Sequence, residues 1–116
     1  MRMLPPYRPT LPHGWFYPDR DTMLNLHAEL LRELPPGHVL TGRAVETFAW
    51  CEGATDDVLF RHTDEPDRFT VVHLSWLGRT EINAKHPTVE FAGTFAGFLA
   101  EEKRLYGLTP PQDVSP

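Results

Sequence analysis

The sequence predicts an α+β domain: a two-layer arrangement in which an antiparallel sheet of three to four strands carries two packed helices. Three observations predict it. A leucine-rich stretch of helical period comes early, an amphipathic stretch comes late, and runs rich in β-branched and aromatic residues lie between them, separated by turn residues. The connections are short, which favours a meander. At 116 residues the chain has the size of one domain, able to bury a core without disulfide or metal staples.

Residues 1–18 carry Pro5, Pro6, Pro9, Pro12 and Pro18 interleaved with Tyr7, Trp15, Phe16 and Tyr17. Proline at this density forbids a helix, and the aromatic content marks an extended arm that packs on something. Either the arm covers its own domain, or it is a proline-rich recognition segment or a dimer-swapping arm. From residue 19 to 108 the chain reads as one α+β domain. Asp19 or Asp21 caps a first helix in which Leu24, His27, Leu31 and Leu34 recur at spacings of three and four, with Leu30 beside them, and Pro35-Pro36-Gly37 ends it.

Gly37 to Gly42 reads as a connector and Ala44 to Cys51 as a strand, closed by Glu52 to Thr55. A hairpin follows from Asp56 to Trp76, its two runs broken by Thr63-Asp64-Glu65-Pro66-Asp67. Leu77 to Thr80 is a turn, Ile82 to Pro87 an irregular polar segment and Val89 to Phe91 a short edge strand. Thr94 caps a second helix, Phe95 to Tyr106, whose apolar side is Phe95, Phe98, Leu99, Leu105 and Tyr106, with Gly107 at its end. Residues 109–116 read as a disordered tail.

A register in which Thr63 faces Arg68 and Cys51 faces Asp57 sorts the strands into two faces. One gathers Glu46, Phe48, Trp50, Val58, Phe60, His62, Phe69, Val71 and His73 as the better core. The other leaves Val72, Leu74 and Trp76 as an exposed apolar patch, suited to a partner, a ligand groove or a covering segment. A homodimer would bury such a face.

This register sets His62 and His73 on one face with Glu46 beside His62, an arrangement that tunes a general base. The plainer expectation is a neutral core His73 and a rim pair of Glu46 with His62. Asp56-Asp57 reads as a turn cap or as a carboxylate pair for acid/base work. Arg61 and Arg79 near Trp76 suit an anionic ligand, or are solvated arginines beside an aromatic. Cys51 reads as a buried, inert thiol. The histidines show no HxH or HExxH spacing, so no metal and no cofactor is expected, and there is no phosphate loop, GxSxG or nucleotide fingerprint.

The net charge is −5 with dispersed cations, which disfavours nucleic acid as the partner. No run approaches the ~18 apolar residues of a membrane span, and the N-terminal stretch lacks a signal-peptide core, so no membrane association and a cytoplasmic location are expected. The lone cysteine suits a reducing compartment. Arginine far outnumbers lysine, which occurs only at Lys85 and Lys103, a composition typical of GC-rich bacterial genomes.

The runs Asp56-Asp57-Val58-Leu59-Phe60-Arg61 and Val71-Val72-His73-Leu74-Ser75-Trp76-Leu77-Gly78 resemble a group of small uncharacterised bacterial proteins. In that group a DDVLF run precedes a VVHLTWSG-type run, then a proline and a phenylalanine before a final helix, similar to His86-Pro87 and Phe91 here. The resemblance covers roughly residues 25 to 100, with Ser75 and Leu77 standing where the group carries threonine and serine. It implies no catalytic residue.

Two functional expectations follow. The first is a non-catalytic protein-interaction or regulatory module binding through Leu74, Trp76, Arg61, Arg79 and Trp15, with a homodimer or another protein as partner. The second is a small enzyme or ligand-binding domain with a site at the end of the sheet, around Glu46, His62, His73 and Asp57.

Overall fold

The chain enters its first helix at Asp19, whose side chain accepts a 2.7 Å hydrogen bond from the Thr22 amide in the computed structural model. The structure describes residues 9–51, 57–76, 79–80, 83 and 85–106. Six elements follow in the order α1 (Arg20–Glu33), β1 (Val45–Cys51), β2 (Asp57–His62), β3 (Phe69–His73), β4 (Thr88–Gly93) and α2 (Phe95–Tyr106). The strands form one antiparallel sheet in sequential order, the expected meander, so the class is α+β. Thr94 caps α2, its hydroxyl accepting from the Gly97 amide. The turn at 52–56, Leu77 and Gly78, the Gly107 cap and the 109–116 tail lie outside the described residues, as does the arm before residue 9.

Three expectations are corrected. The first concerns register. β2 pairs with β3 as Arg61↔Phe69 through Asp57↔His73, one residue away from the expected alignment, and this turns all of β3 over. The sequence Phe69-Thr70-Val71-Val72-His73 is apolar on both parities, so alternation could not choose. The turn chose: the Arg68 amide donates to Glu65 O, and the His62 amide donates to Arg68 O. In β1 a bulge at Phe48 adds a further shift and aims Phe48 and Ala49 into the same cluster.

The second correction concerns the buried side of α1. Leu24 and Leu31 are 54% and 59% exposed, whereas Leu26, Leu30, Glu29 and Glu33 are buried. Leu26 and Glu33, seven residues apart, share the face that meets the sheet. In α2, Phe95, Phe98 and Leu99 pack inward as expected, but Leu105 is half exposed.

The third concerns layering. Leu26, Leu30 and Leu40 pack with Val45, Val58, Phe60, Val72 and Leu74, while Phe98 of α2 packs with Ala49, Leu59, Phe69 and Val71. Adjacent strand residues point to opposite faces, so α1 and α2 cover opposite sides of the sheet. Both faces are therefore occupied, and Val72 and Leu74 are core rather than an exposed patch.

The arm packs on its own domain from residue 9 to 18. Leu11 and Trp15 join the α2-side core, and Phe16 pairs with Trp50 through two 3.0 Å backbone hydrogen bonds along the free edge of β1.

Candidate functional site

The unusual chemistry of the molecule gathers where the chain leaves β3, at His73-Leu74-Ser75-Trp76. Leu74 anchors this exit in the core, 2% exposed. On the α1 side, the Glu33 carboxylate accepts from two successive backbone amides, Ser75 N at 2.8 Å through Oε1 and Trp76 N at 2.7 Å through Oε2. Successive amides converging on one carboxylate form an anion-cradling turn. Trp76 sits at φ 59, a left-handed conformation that a bulky residue adopts only when its surroundings impose it. The clamp presents its indole to solvent, and the residue is 46% exposed.

Glu33 is itself fully buried. Burial pushes its carboxyl up to about 7, as does a hydrogen bond from Glu29, against the lowering effect of the Ser75 and Trp76 amides. Glu29, one turn earlier and also buried, is paired with Arg32 at 2.6 Å. Thr80, past the exit, donates its hydroxyl to Arg32 O at 3.0 Å. The C-terminal turn of α1 is thus tied to the β3 exit at several points. Nearby in sequence, His38 is buried and accepts from the Leu40 amide through Nδ1, so Nε2–H donates to Pro87 O at 2.8 Å. That bond ties the connector after α1 to the start of β4.

On the α2 side, His73 Nδ1 lies 2.9 Å from Asp57 Oδ1. The register sets Cys51, Asp57, His73 and Thr88 in one row across the four strands. Glu102 of α2 accepts from the Trp15 indole at 2.8 Å. Burial raises the Glu102 carboxyl, the Trp15 hydrogen bond opposes this, and the charges of Asp57 and Glu101 add to the rise.

The expected site residues therefore separate. His73 and Asp57 meet. His62 faces the α1 side instead, 2% exposed, with Nε2 2.8 Å from Thr70 Oγ1 and Nδ1 buried with no hydrogen-bond partner. Burial lowers its pKa, and the Arg43 and Arg68 charges lower it further. Glu46 pairs with Arg61 across the strands, through Arg61 Nε at 2.8 Å, so the expected Glu46–His62 pair does not form and Arg61 is engaged. Leu74 and Trp15 are buried, Arg79 is exposed, and of the expected apolar patch only Trp76 meets solvent. Sequence reasoning missed Glu29, Glu33 and Glu102. The available signal was the repeat of acids at 29 and 33 on the same helical face as Leu26 and Leu30.

Among the described residues, no group of three or more His, Cys, Asp or Glu is arranged to hold a metal ion, and no helix is long and apolar enough to cross a membrane. A surface hollow of about 350 Å³ lies elsewhere, lined by residues 65–68, Gly93 and Thr94. Comparison with protein families, with curated proteins and with solved structures finds no match to this chain.

Proposed function

We propose that this protein is a non-catalytic interaction module that offers Trp76 to a protein partner as its anchor. One observation carries the reading: a fully buried carboxylate is committed to holding a tryptophan in a left-handed turn with its ring half in solvent. Burying an ionisable group is costly, and a strained backbone persists only when its surroundings over-determine it. Tryptophan is enriched among the residues that dominate binding energy at interfaces. Capture from native extract with wild-type protein and Trp76→Ala side by side, combined with light scattering of the purified protein, tests the proposal. The expected result is a stoichiometric complex, with another protein or a second copy, that Trp76→Ala weakens by about tenfold or more while leaving the fold intact. Equal association of both proteins refutes it.

The His73–Asp57 contact favours a second reading, a small ligand-binding or acid–base site at this end of the sheet. A carboxylate bonded to Nδ1 orients an imidazole as it does in general-base dyads. Under this reading Asp57→Asn abolishes ligand binding and Trp76→Ala spares it.

A further inference from the structure

The regulation of the Trp76 anchor is written into the helix that holds it. We infer that the Glu29–Glu33 carboxyl pair is a proton-operated latch, closed on Trp76 while the pair shares a proton and loosened when both carboxyls are ionised. The inference rests on the anchor reading above for its functional meaning, though not for its physics.

The geometry carries the argument. Glu29 and Glu33 are four residues apart on α1, where like charges repel, and both are buried on the face toward the sheet. They are nonetheless hydrogen-bonded to each other, and two carboxyl groups can share such a bond only when one of them is protonated. Both Glu33 oxygens are also occupied by the Ser75 and Trp76 amides, so any displacement of this carboxylate moves the turn carrying Trp76. The Glu33 carboxyl, pushed up to about 7, changes charge near neutrality, where small pH changes have effect.

The charged groups facing the pair are few among the described residues. From α1 comes Arg32, bonded to Glu29 and more than half exposed. From the β3 exit come the two backbone amides and, through Arg32 O, the Thr80 hydroxyl, none of which titrates. Arg32 steadies Glu29 but contacts Glu33 in no described bond, so loss of the shared proton leaves a buried charge pair with one partial counter-charge. Repulsion then acts along the one direction in which the exit can yield, away from α1.

Amide NMR on the full chain between pH 5 and 9 tests this. The Ser75 and Trp76 amide shifts should titrate with a midpoint near 7, and their protection factors against hydrogen exchange should fall about tenfold across it. Glu29→Gln preserves a donor to Glu33 but removes the second charge, and should leave both amides protected throughout. Glu33→Gln replaces one accepting oxygen by an amide nitrogen and should leave Trp76 unprotected at every pH. Shifts and protection that do not change with pH in the wild type, or a Glu29→Gln protein that titrates as the wild type does, overturn the latch. A titrating turn with no effect of Trp76→Ala on association keeps the latch and removes the anchor; a pH-independent turn with association lost in Trp76→Ala does the reverse.

Discussion

The two faces of one small sheet are closed by different chemistry. On the α2 side, rings do the packing: Trp15 meets Phe98 edge-on at 5.1 Å, Phe69 meets Phe48 at 5.2 Å and Phe95 at 5.3 Å, and Leu11, Leu59 and Val71 fill the remainder. Its polar groups, Glu102 and the His73–Asp57 pair, are partly exposed. On the α1 side, aliphatic residues share the interior with Glu29, Glu33, His62 and His38. The apolar face gains stability from area alone, whereas the mixed face depends on each buried polar group finding its partner. The difference teaches where this fold can be rigid and where it can respond.

Substitutions can break that contrast. Phe98→Ala should have the largest effect, lowering the unfolding free energy by about 3–5 kcal/mol in urea titrations, because a fully enclosed ring leaves a cavity among other rings. Its cost should be the same at pH 5 and pH 8. Pairwise dependence on pH at this position would mean that the faces are not separable.

The α1 side should instead respond to protons. The Glu33 carboxyl is raised from 4.5 to about 7, so the folded protein holds this proton more tightly than the unfolded chain. The associated stability is fully present below about pH 4.5 and is lost as pH rises through about 7, by up to about 2–3 kcal/mol. His62 acts in the opposite sense: its lowered pKa favours the neutral folded form, and stability from it falls as pH drops below 6.5. Comparing wild type with Glu29→Gln at pH 5 and pH 8 isolates the carboxyl pair, since His62 is common to both. The stability difference between the two pH values should shrink in Glu29→Gln; an unchanged difference would place the proton linkage elsewhere.

The smallest effect sharpens the contrast at the exit itself. Trp76→Gly and Trp76→Ala remove the same ring, but only glycine is at ease at φ 59. The glycine protein should be the more stable by about 1 kcal/mol, read from the difference in urea midpoints. Equal midpoints would show that the turn relaxes out of the left-handed region once the ring is gone.

Half of the exit was legible in the sequence. Trp76 stood out as an aromatic at the end of a strand, and His73 and Asp57 as chemistry near a sheet end. Glu33 did not, because glutamate on a helix reads as solvent-facing when its partners lie 42 and 43 residues away. The same blindness reversed α1, where Leu24 and Leu31 matched a helical stripe as well as Leu26 and Leu30 did. Only amides delivered by the β3 exit make the acidic face the better one to bury.

What the sequence by itself determined is the order and type of the elements, the caps at Asp19 and Thr94, and the end of α1 before Pro35-Pro36. Each of these depends on residues within a few positions of one another, where propensity and capping act. The tertiary structure alone decided the β2–β3 register, the buried side of α1, the placing of one helix on each face, and the separation of His62 from His73. Where both faces of a strand or helix are apolar enough to bury, local pattern leaves two solutions of similar energy. Hydrogen bonds between distant segments then choose between them.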